Sequence, residues 1–363
     1  MRVTEQQHSF LLLRPQEIKD LISMGEAIDL VEQGYREAAD YPIINAPRRR
    51  VHSPAGVRVS NFPGGVHGLG VIGSLTRAET VAHDPTQQVY PYREHPVYLL
   101  WDSTGGRLLA IIIGEITEKR IGFSSIMALR TAATSGVGFR HLARKDAKTV
   151  GLYGTGGQAL HKMLALKCER PLTHVKVYSR NPENRRKFVE RVSRLIEIDM
   201  TPVDNAREAM RAVDIVVCAT NSNVPVFDGG WIEPGQHITT VVGSNISLVK
   251  GGWLKSGRTE VDEKAVQRAD FIVTNSRESV MQDQQAGIFD PIQKGVITWD
   301  KVRELGEILN GKFPGRTSDA QVTYHANNNG TAAADLAIAM QVYKKAKAAG
   351  RGTEIQAPFP GRQ

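Results

Sequence analysis

The hydrophobic pattern of the chain changes period between its first and second parts. Apolar side chains recur at near-helical spacing over residues 14–38, which predicts an amphipathic helix. Residues 48–114 are strand-like, and two apolar runs at 97–101 and 108–113 flank a Gly-rich turn, which predicts a hairpin. A polar stretch at 79–96 interrupts these strands and predicts a long loop.

Strands and helices alternate after residue 124. Helices are predicted at 124–143, 181–196 and 330–349, the last of them rich in alanine. Apolar strands are predicted at 148–153, 175–178, 214–219, 237–242 and 271–274. This alternation predicts a parallel sheet covered by helices, and therefore the α/β class. The Pro- and Gly-rich stretch 353–363 is predicted to be loose.

Length and composition indicate a globular chain. The 363 residues suffice for two domains or for one large domain with an insert, and a hydrophobic content of 41% is enough for well-formed cores. No run of about 18 apolar residues occurs, so no membrane span is expected, and the polar first residues lack the apolar core of a signal peptide. The two cysteines, Cys168 and Cys218, are predicted to be buried thiols. These features favour a cytoplasmic protein.

The chain is basic, with a formal net charge of +8. Its basic residues are spread out and aromatic residues make up only 6% of the sequence, so no nucleic-acid partner is expected. A basic surface that attracts anionic metabolites is the simpler interpretation. No Cys/His spacing indicates a metal site, and no metal is expected.

The motif that carries most information follows the strand predicted at 148–153. It opens the next helix with Gly154, Thr155, Gly156, Gly157, Gln158 and Ala159. Gly154 permits a tight turn, Gly156 lets the backbone approach a pyrophosphate, and Ala159 lets the helix pack close to the strand. The helix N-terminus then offers unpaired N–H groups to phosphates. The motif predicts a dinucleotide site, and the alternative is an ordinary strand–turn–helix.

The end of the next strand indicates which dinucleotide binds. An NAD site usually places Asp or Glu there to bind the ribose 2′-hydroxyl, whereas this chain has Ser179 and Arg180. A serine hydroxyl and a guanidinium suit a 2′-phosphate, and Arg185 and Arg186 follow one turn later. We therefore expect NADP(H) to be preferred over NAD(H). The alternative is a solvated helix start with exposed arginines.

Five segments resemble the ornithine cyclodeaminase/mu-crystallin family. They are Pro-Arg-Arg-Arg-Val at 47–51, Leu-Gly-Val-Ile at 69–72, Leu-Arg-Thr-Ala-Ala at 129–133, Val-Val-Gly-Ser-Asn at 241–245 with Arg-Thr-Glu-Val-Asp at 258–262, and Gly-Thr-Ala-Ala-Ala-Asp-Leu at 330–336. The glycine motif alone is unspecific, but these segments in this order are fairly specific. The resemblance spans residues 10–350.

The resemblance implies a fold and an activity. A Rossmann domain at 126–321 would bind the dinucleotide, and an α+β domain formed by residues 1–125 and 322–363 would bind substrate and mediate a homodimer. The implied activity is hydride transfer at the α-carbon of a small imine or amino acid that carries a carboxylate, as in ketimine reductases and amino-acid dehydrogenases. A cyclodeaminase that retains NAD⁺ and releases ammonia is one alternative. A weakly catalytic NADPH-binding sensor is another.

The resemblance also implies site residues. Arg130 matches the family's carboxylate-binding arginine, with an ion pair at the domain junction as the alternative. Arg49 matches the arginine that follows Pro, although Arg48 and Arg50 compete for that alignment. Thr220, Val242 and Gly243 follow predicted strands and are expected to line the nicotinamide.

Two positions depart from the family pattern. Ile72 replaces a lysine, a gap that Arg77, His52 or Arg50 would have to fill. Asn245 replaces the catalytic aspartate, and an amide cannot act as a general base at neutral pH. The substitution disfavours ornithine cyclisation and favours reduction of a preformed imine, as in mu-crystallin-like ketimine reductases, which also lack the aspartate.

A polar run near the end of the chain has two interpretations. His325 and the three asparagines at 327–329 precede Gly330, near where the family closes the nicotinamide end of the site. The run therefore predicts either a binding role or a helix N-cap turn.

Overall fold

A computed structural model describes residues 8–81, 90–121, 125–242, 246–327 and 330–356. The chain forms two compact units. One unit comprises Met1–Ile126 together with Thr331–Gln363, and the other comprises Met127–Gly330.

The first unit contains a seven-stranded mixed sheet. Its strands are β1 (Ser9–Leu13), β2 (Arg49–His52), β3 (Val57–Val66), β4 (Val71–Thr80), β5 (Val97–Asp102), β6 (Leu108–Ile113) and β15 (Thr353–Gln356). They lie in the order β15-β1-β6-β5-β4-β3-β2. Every pairing of these described strands is antiparallel except that of β1 with β6.

Two helices cover one face of this sheet. Helix α1 (Met24–Asp40) is capped by Ser23, whose Oγ accepts from the Glu26 N–H, and its buried stripe packs against α11 (Ala332–Ala348). Helix α11 also packs on β3, β4 and β5, and its first eight residues are all buried. The alternate residues of the strands form the other face, which is only partly buried.

The second unit is a parallel eight-stranded sheet. Its strands are β7 (Thr149–Tyr153), β8 (His174–Tyr178), β9 (Asp199–Pro202), β10 (Ile215–Cys218), β11 (His237–Thr240), β12 (Phe271–Thr274), β13 (Val302–Glu304) and β14 (Thr323–Ala326). They lie in the order β13-β12-β14-β11-β10-β7-β8-β9. The order reverses between β7 and β10, which is where doubly wound sheets bind ligands.

Nine helices connect the described strands of this unit or lead into them. They are α2 (Ile126–Leu142), α3 (Gly157–Glu169), α4 (Pro182–Ile196), α5 (Ala206–Met210), α6 (Ile246–Lys250), α7 (Glu263–Arg268), α8 (Arg277–Asp283), α9 (Phe289–Gln293) and α10 (Leu305–Leu309). Because the central strands are covered on both faces, β10 and β11 are buried at every position.

The structure confirms the α/β class, the parallel sheet and the hairpin of β5 and β6. The first helix was expected from residue 14, but it begins at Met24. The stretch 353–363 was expected to be loose, but Thr353–Gln356 pairs with β1. Cys218 is buried as predicted, whereas the prediction for Cys168 is wrong because its side chain is exposed on α3.

The later boundary of the dinucleotide domain also differs from the expectation. It was expected after residue 321, and the second unit extends to Gly330. The reason is that β14 pairs with β11 on one side and β12 on the other, so it is an internal strand of the parallel sheet. None of the described helices is long and apolar enough to cross a membrane.

Candidate active site

A cleft of about 680 Å³ opens at the carboxyl ends of β7, β8 and β10. Eight of the predicted cofactor residues line it: Gly154, Thr155, Gly156, Gly157, Gln158, Ser179, Arg180 and Thr220. Ala159 is fully buried in α3, in keeping with a packing role. Val242 follows β11 and does not line this cleft. Most of the residues predicted to bind the dinucleotide therefore converge on one cavity.

The glycine turn leaves its backbone open to this cleft. Gly154 has φ 106°, and a Cβ at this position would clash with the carbonyl group of Ala219. At Gly156 and Gly157 a Cβ would point into open space. Helix α3 begins at Gly157 with no side-chain cap, so the N–H groups of its first turn are available to a ligand. This arrangement fits a pyrophosphate.

The end of the cleft beyond β8 is polar and carries positive charge. Ser179 is half-buried, Arg180 is exposed, and Asn181 and Asn184 complete this part of the lining. The Asn181 side chain caps α4 by accepting from Glu183 N and Asn184 N, at 2.9 and 3.1 Å. No Asp or Glu is among the described residues that line the cleft. The acid that usually binds a ribose 2′-hydroxyl is therefore missing from this lining.

Arg185 does not extend this basic end. Its guanidinium is buried and donates to the Ser179 carbonyl at 3.1 Å and to Asp204 Oδ1 at 2.9 Å. It also lies over the ring of Tyr178, 5.6 Å from the centroid. Arg185 thus holds the backbone of Ser179 in place rather than facing the cleft.

Arg130 lies in the second turn of α2 and is buried, with 5% of its surface exposed. Its Nη2 lies 3.3 Å from the Met127 sulfur, and its carbonyl accepts from Thr134 Oγ1 at 2.9 Å. Gly330 packs directly against the guanidinium, so closely that a Cβ added to Gly330 would clash with it. Gly330, which has no side chain, thus leaves the space that this buried guanidinium occupies.

The polar run before Gly330 has a structural role that the sequence did not reveal. Asn327 Nδ2 donates to the Thr131 carbonyl at 2.7 Å and to Ser135 Oγ at 2.8 Å, which ties the end of β14 to the Arg130 helix. Asn275 Nδ2 donates to Asn327 Oδ1 at 2.9 Å, and His325 Nε2 lies 3.1 Å from Asn275 Oδ1. Burial lowers the pKa of His325 to about 3, so its ring is neutral.

A buried lysine joins this network from α3. Lys162 Nζ donates to Ser135 Oγ at 2.8 Å and to Thr239 Oγ1 at 3.4 Å. Burial lowers the pKa of Lys162 to about 8, although the Glu260 carboxylate acts in the opposite direction. Lys162 is thus mostly charged at neutral pH.

Glu260 is the residue that sequence reasoning missed. It was noticed only as part of a motif, yet its buried carboxylate accepts from Thr220, Val241 and Val242 at the ends of β10 and β11. The sequence around it reads Arg-Thr-Glu-Val-Asp-Glu over residues 258–263, and nothing in this local pattern sets Glu260 apart from the two acids that follow it.

In the first unit, the strand register separates two of the three arginines that competed for one role, Arg49 and Arg50. Arg49 pairs with the exposed Asn61 and lies on the partly exposed face. Arg50 and His52 pair with the buried residues Ser60 and Arg58, so they lie on the opposite face. This register favours Arg50 over Arg49 as the residue that faces a buried site.

Arg77 lies on the same face as Arg50 and His52. It pairs across the sheet with Ser60 and forms an ion pair with Glu115. Burial, together with Arg58 and Arg50, holds the pKa of His52 below its usual range, so His52 is neutral at pH 7. Ile72 lies on the other face and is partly exposed. The three residues proposed to replace the family lysine thus share one face, and Ile72 is not on it.

Several predicted residues lie outside the described part of the chain. They are Gly243, Asn245, Asn328 and Asn329. Among the described residues, no group of three His, Cys, Asp or Glu side chains is placed to hold a metal ion.

Comparison with known proteins places these features in a family. Residues 9–350 match the model of the ornithine cyclodeaminase/mu-crystallin family. The chain belongs to this family. A Delta(1)-pyrroline-2-carboxylate reductase of Bacillus cereus is 30% identical over 261 residues, which cover 72% of this chain and 74% of the relative.

Solved structures of the family agree with the fold. The Delta(1)-pyrroline-2-carboxylate reductase of Thermococcus litoralis, in complex with NADH and L-proline, is 29% identical and superposes with a TM-score of 0.78, covering 95% of this chain and 100% of the other. An archaeal alanine dehydrogenase dimer with bound NAD is 26% identical, with a TM-score of 0.78 and coverage of 96% of this chain and 99% of the other. The predicted family and the Rossmann-type α/β fold are thereby confirmed.

Proposed function

We propose that this family member is an NADPH-dependent reductase of a small imine that carries a carboxylate. The observation that carries the proposal is the cleft itself, because a glycine turn open to a pyrophosphate leads to an acid-free, basic end at Ser179 and Arg180. Relatives that reduce Delta(1)-pyrroline-2-carboxylate, together with an alanine dehydrogenase, support action on C–N bonds.

The preference for NADPH rests on charge at the end of β8. The Ser179 hydroxyl and the Arg180 guanidinium are suited to bind a 2′-phosphate. The Arg185 guanidinium donates to the Ser179 carbonyl and so holds the backbone of Ser179 in place. An exposed guanidinium at this site would gain little from a neutral 2′-hydroxyl. We therefore infer a preference for NADP(H), although the two solved relatives contain NADH and NAD.

Substrate recognition is assigned to a guanidinium. When bound, the reduced nicotinamide supplies a hydride to the C=N carbon. Arg130 is proposed to hold the substrate carboxylate in a two-pronged contact, for which a buried guanidinium is suited. With Asn245 in place of an acid, the nitrogen takes its proton from solvent or a neighbouring acid, which suits an imine that is already electrophilic.

The experiment that tests the proposed function is a substrate panel. We expect NADPH to be consumed with Delta(1)-pyrroline-2-carboxylate or a related cyclic imine, at a higher kcat/KM than with a keto acid plus ammonia. Ammonia release from ornithine with no net change in cofactor would instead indicate a cyclodeaminase. Tight NADPH binding without turnover across the panel would indicate a ligand-sensing protein.

We also propose that the protein is a homodimer formed through the first unit. The sheet face opposite α1 and α11 carries Leu99 and Ile111 paired on β5 and β6, with Trp101 and Ile72 beside them. Ile72 is 43% exposed, and the other three are partly exposed. An apolar sheet face of this kind is a typical protein interface.

Substituting Leu99 with arginine is expected to convert the dimer to a monomer, because a charge would be buried at the centre of the apolar face. The mass in solution, measured by light scattering, checks this. Thr104→Arg, in the exposed turn after β5, is the control and is expected to leave the dimer intact. A Leu99→Arg protein that is folded and still dimeric would place the interface elsewhere.

A further inference from the structure

Glu260 holds the ends of two neighbouring strands together. Its Oε1 accepts from Thr220 N at 2.7 Å and Thr220 Oγ1 at 2.8 Å. Its Oε2 accepts from Val241 N at 2.8 Å and Val242 N at 2.9 Å. Only 1% of the residue is exposed. One buried side chain thus satisfies three backbone N–H groups and a hydroxyl at the point where β10 and β11 end.

All four groups that contact the Glu260 side chain are hydrogen-bond donors. This arrangement requires an ionised carboxylate, which can only accept hydrogen bonds. A glutamine of the same shape would turn its NH₂ group toward two of these donors and leave them unpaired. The Thr220 hydroxyl donates its hydrogen bond to Glu260, so it is the other atoms of Thr220 that line the cleft.

The position of Glu260 in the sheet relates it to one half of the dinucleotide. Ser179 and Arg180 follow β8, on one side of β7, and form the proposed adenosine-phosphate end. A dinucleotide crosses the point of order reversal, so its second half lies toward β10 and β11. Glu260 caps those two strands, and Thr220 lines the same cleft.

We propose that Glu260 is a positioning residue of the nicotinamide half of the site, which it serves in two ways. It fixes Thr220 and the Val241–Val242 backbone, and its negative charge favours the positively charged oxidised nicotinamide over the neutral reduced ring. The buried Lys162 ammonium carries the charge opposite to that of Glu260. If the Glu260 charge is lost, the positive charge of Lys162 is no longer balanced, and it also disfavours the positively charged oxidised ring. The inference rests on the proposed binding of NADP(H).

The test measures the affinity of the substrate-free protein for both cofactor forms by calorimetry. In Glu260→Gln, the Kd of NADP⁺ is expected to rise at least about threefold more than the Kd of NADPH, because only the oxidised ring loses a charge–charge attraction. Glu260→Asp keeps the charge and is expected to keep the wild-type ratio of the two Kd values while weakening both. Equal weakening of both forms in Glu260→Gln would overturn the charge effect.

Asp262→Asn is the matched control. Asp262 lies two residues along the same segment, and its carboxylate also accepts backbone N–H groups, from Gly229 and Ala265, away from the cleft. We expect this variant to lose stability without a change in either Kd. A change in the Kd ratio as large as that of Glu260→Gln would show that the change comes from a general loss of stability and not from the Glu260 charge.

A milder variant covers the case in which Glu260→Gln does not fold. Thr220→Val keeps the shape of the side chain but removes one of the four contacts, so both Kd values are expected to rise several-fold at an unchanged ratio. Wild-type affinities in this variant would overturn the positioning role. If the wild-type protein binds neither NADPH nor NADP⁺, the proposed function itself has failed, which is a separate result.

Discussion

Substituting Arg130 with alanine is expected to lower kcat/KM for the imine roughly a thousandfold, mostly through a higher KM. The reason is that a buried carboxylate loses its partner, which costs about 4 kcal/mol. Steady-state kinetics at saturating NADPH measures this effect. The Kd of NADPH is expected to stay unchanged, because Arg130 does not line the cofactor cleft. An unchanged KM for the substrate would remove Arg130 from its proposed role.

Two companion variants sharpen this test. Arg140 lies on the same helix and pairs with Glu169 at 2.8 Å, so Arg140→Ala is expected to change kcat/KM less than about twofold. Gly330→Ala leaves Arg130 in the sequence but introduces a Cβ that clashes with its guanidinium. It is expected to reproduce a large part of the loss, because a carboxylate contact depends on a guanidinium held in place.

Substituting Ser179 with aspartate is expected to reverse the cofactor preference. The carboxylate would repel a 2′-phosphate and accept from the 2′-hydroxyl of NADH. We expect the ratio of kcat/KM with NADPH to that with NADH to fall at least about a hundredfold, which corresponds to about 2.7 kcal/mol. Kinetics with both cofactors on one imine provides the measurement.

The control for this substitution adds the same charge outside the cleft. Asn205 caps α5 by accepting from Glu208 N at 2.9 Å, and aspartate at this position can still cap the helix. Asn205→Asp is therefore expected to keep the wild-type cofactor ratio. If Ser179→Asp also keeps it, the 2′-phosphate does not bind at the end of β8.

Local patterns were sufficient for much of the second unit. The strand, the glycine turn and the following helix were predicted together because their signals lie within one short segment, and all eight lining residues named above came from such local signals. In contrast, the choice of Arg50 over Arg49 as the residue that faces a buried site depends on the pairing of β2 with β3. Adjacent residues of a strand face opposite sides, so a run of three arginines cannot reveal its own orientation.

Short elements stabilised by distant partners were the ones missed. Thr353–Gln356 is a strand because β1, more than 300 residues earlier, pairs with it. The first helix begins at Met24 rather than near residue 14 because Ser23 provides the cap, and Asp20 has φ 60°, which a continuous helix does not allow. For His325 and Asn327 the sequence left a binding role and a helix N-cap turn open, and the structure places both side chains in a buried hydrogen-bond network.

The sequence by itself determined the family, the parallel α/β sheet, the glycine turn and the residue types at the end of β8, because each is a property of neighbouring positions. Only the tertiary structure decided where side chains from distant segments meet. Glu260 lies 40 residues from Thr220 along the chain, and its carboxylate gains a role only where the ends of β10 and β11 come together. The Arg130 guanidinium likewise has its space only because Gly330, from a distant segment, carries no side chain. Hydrogen bonds and packing act between neighbours in space, and a linear pattern does not contain those distances.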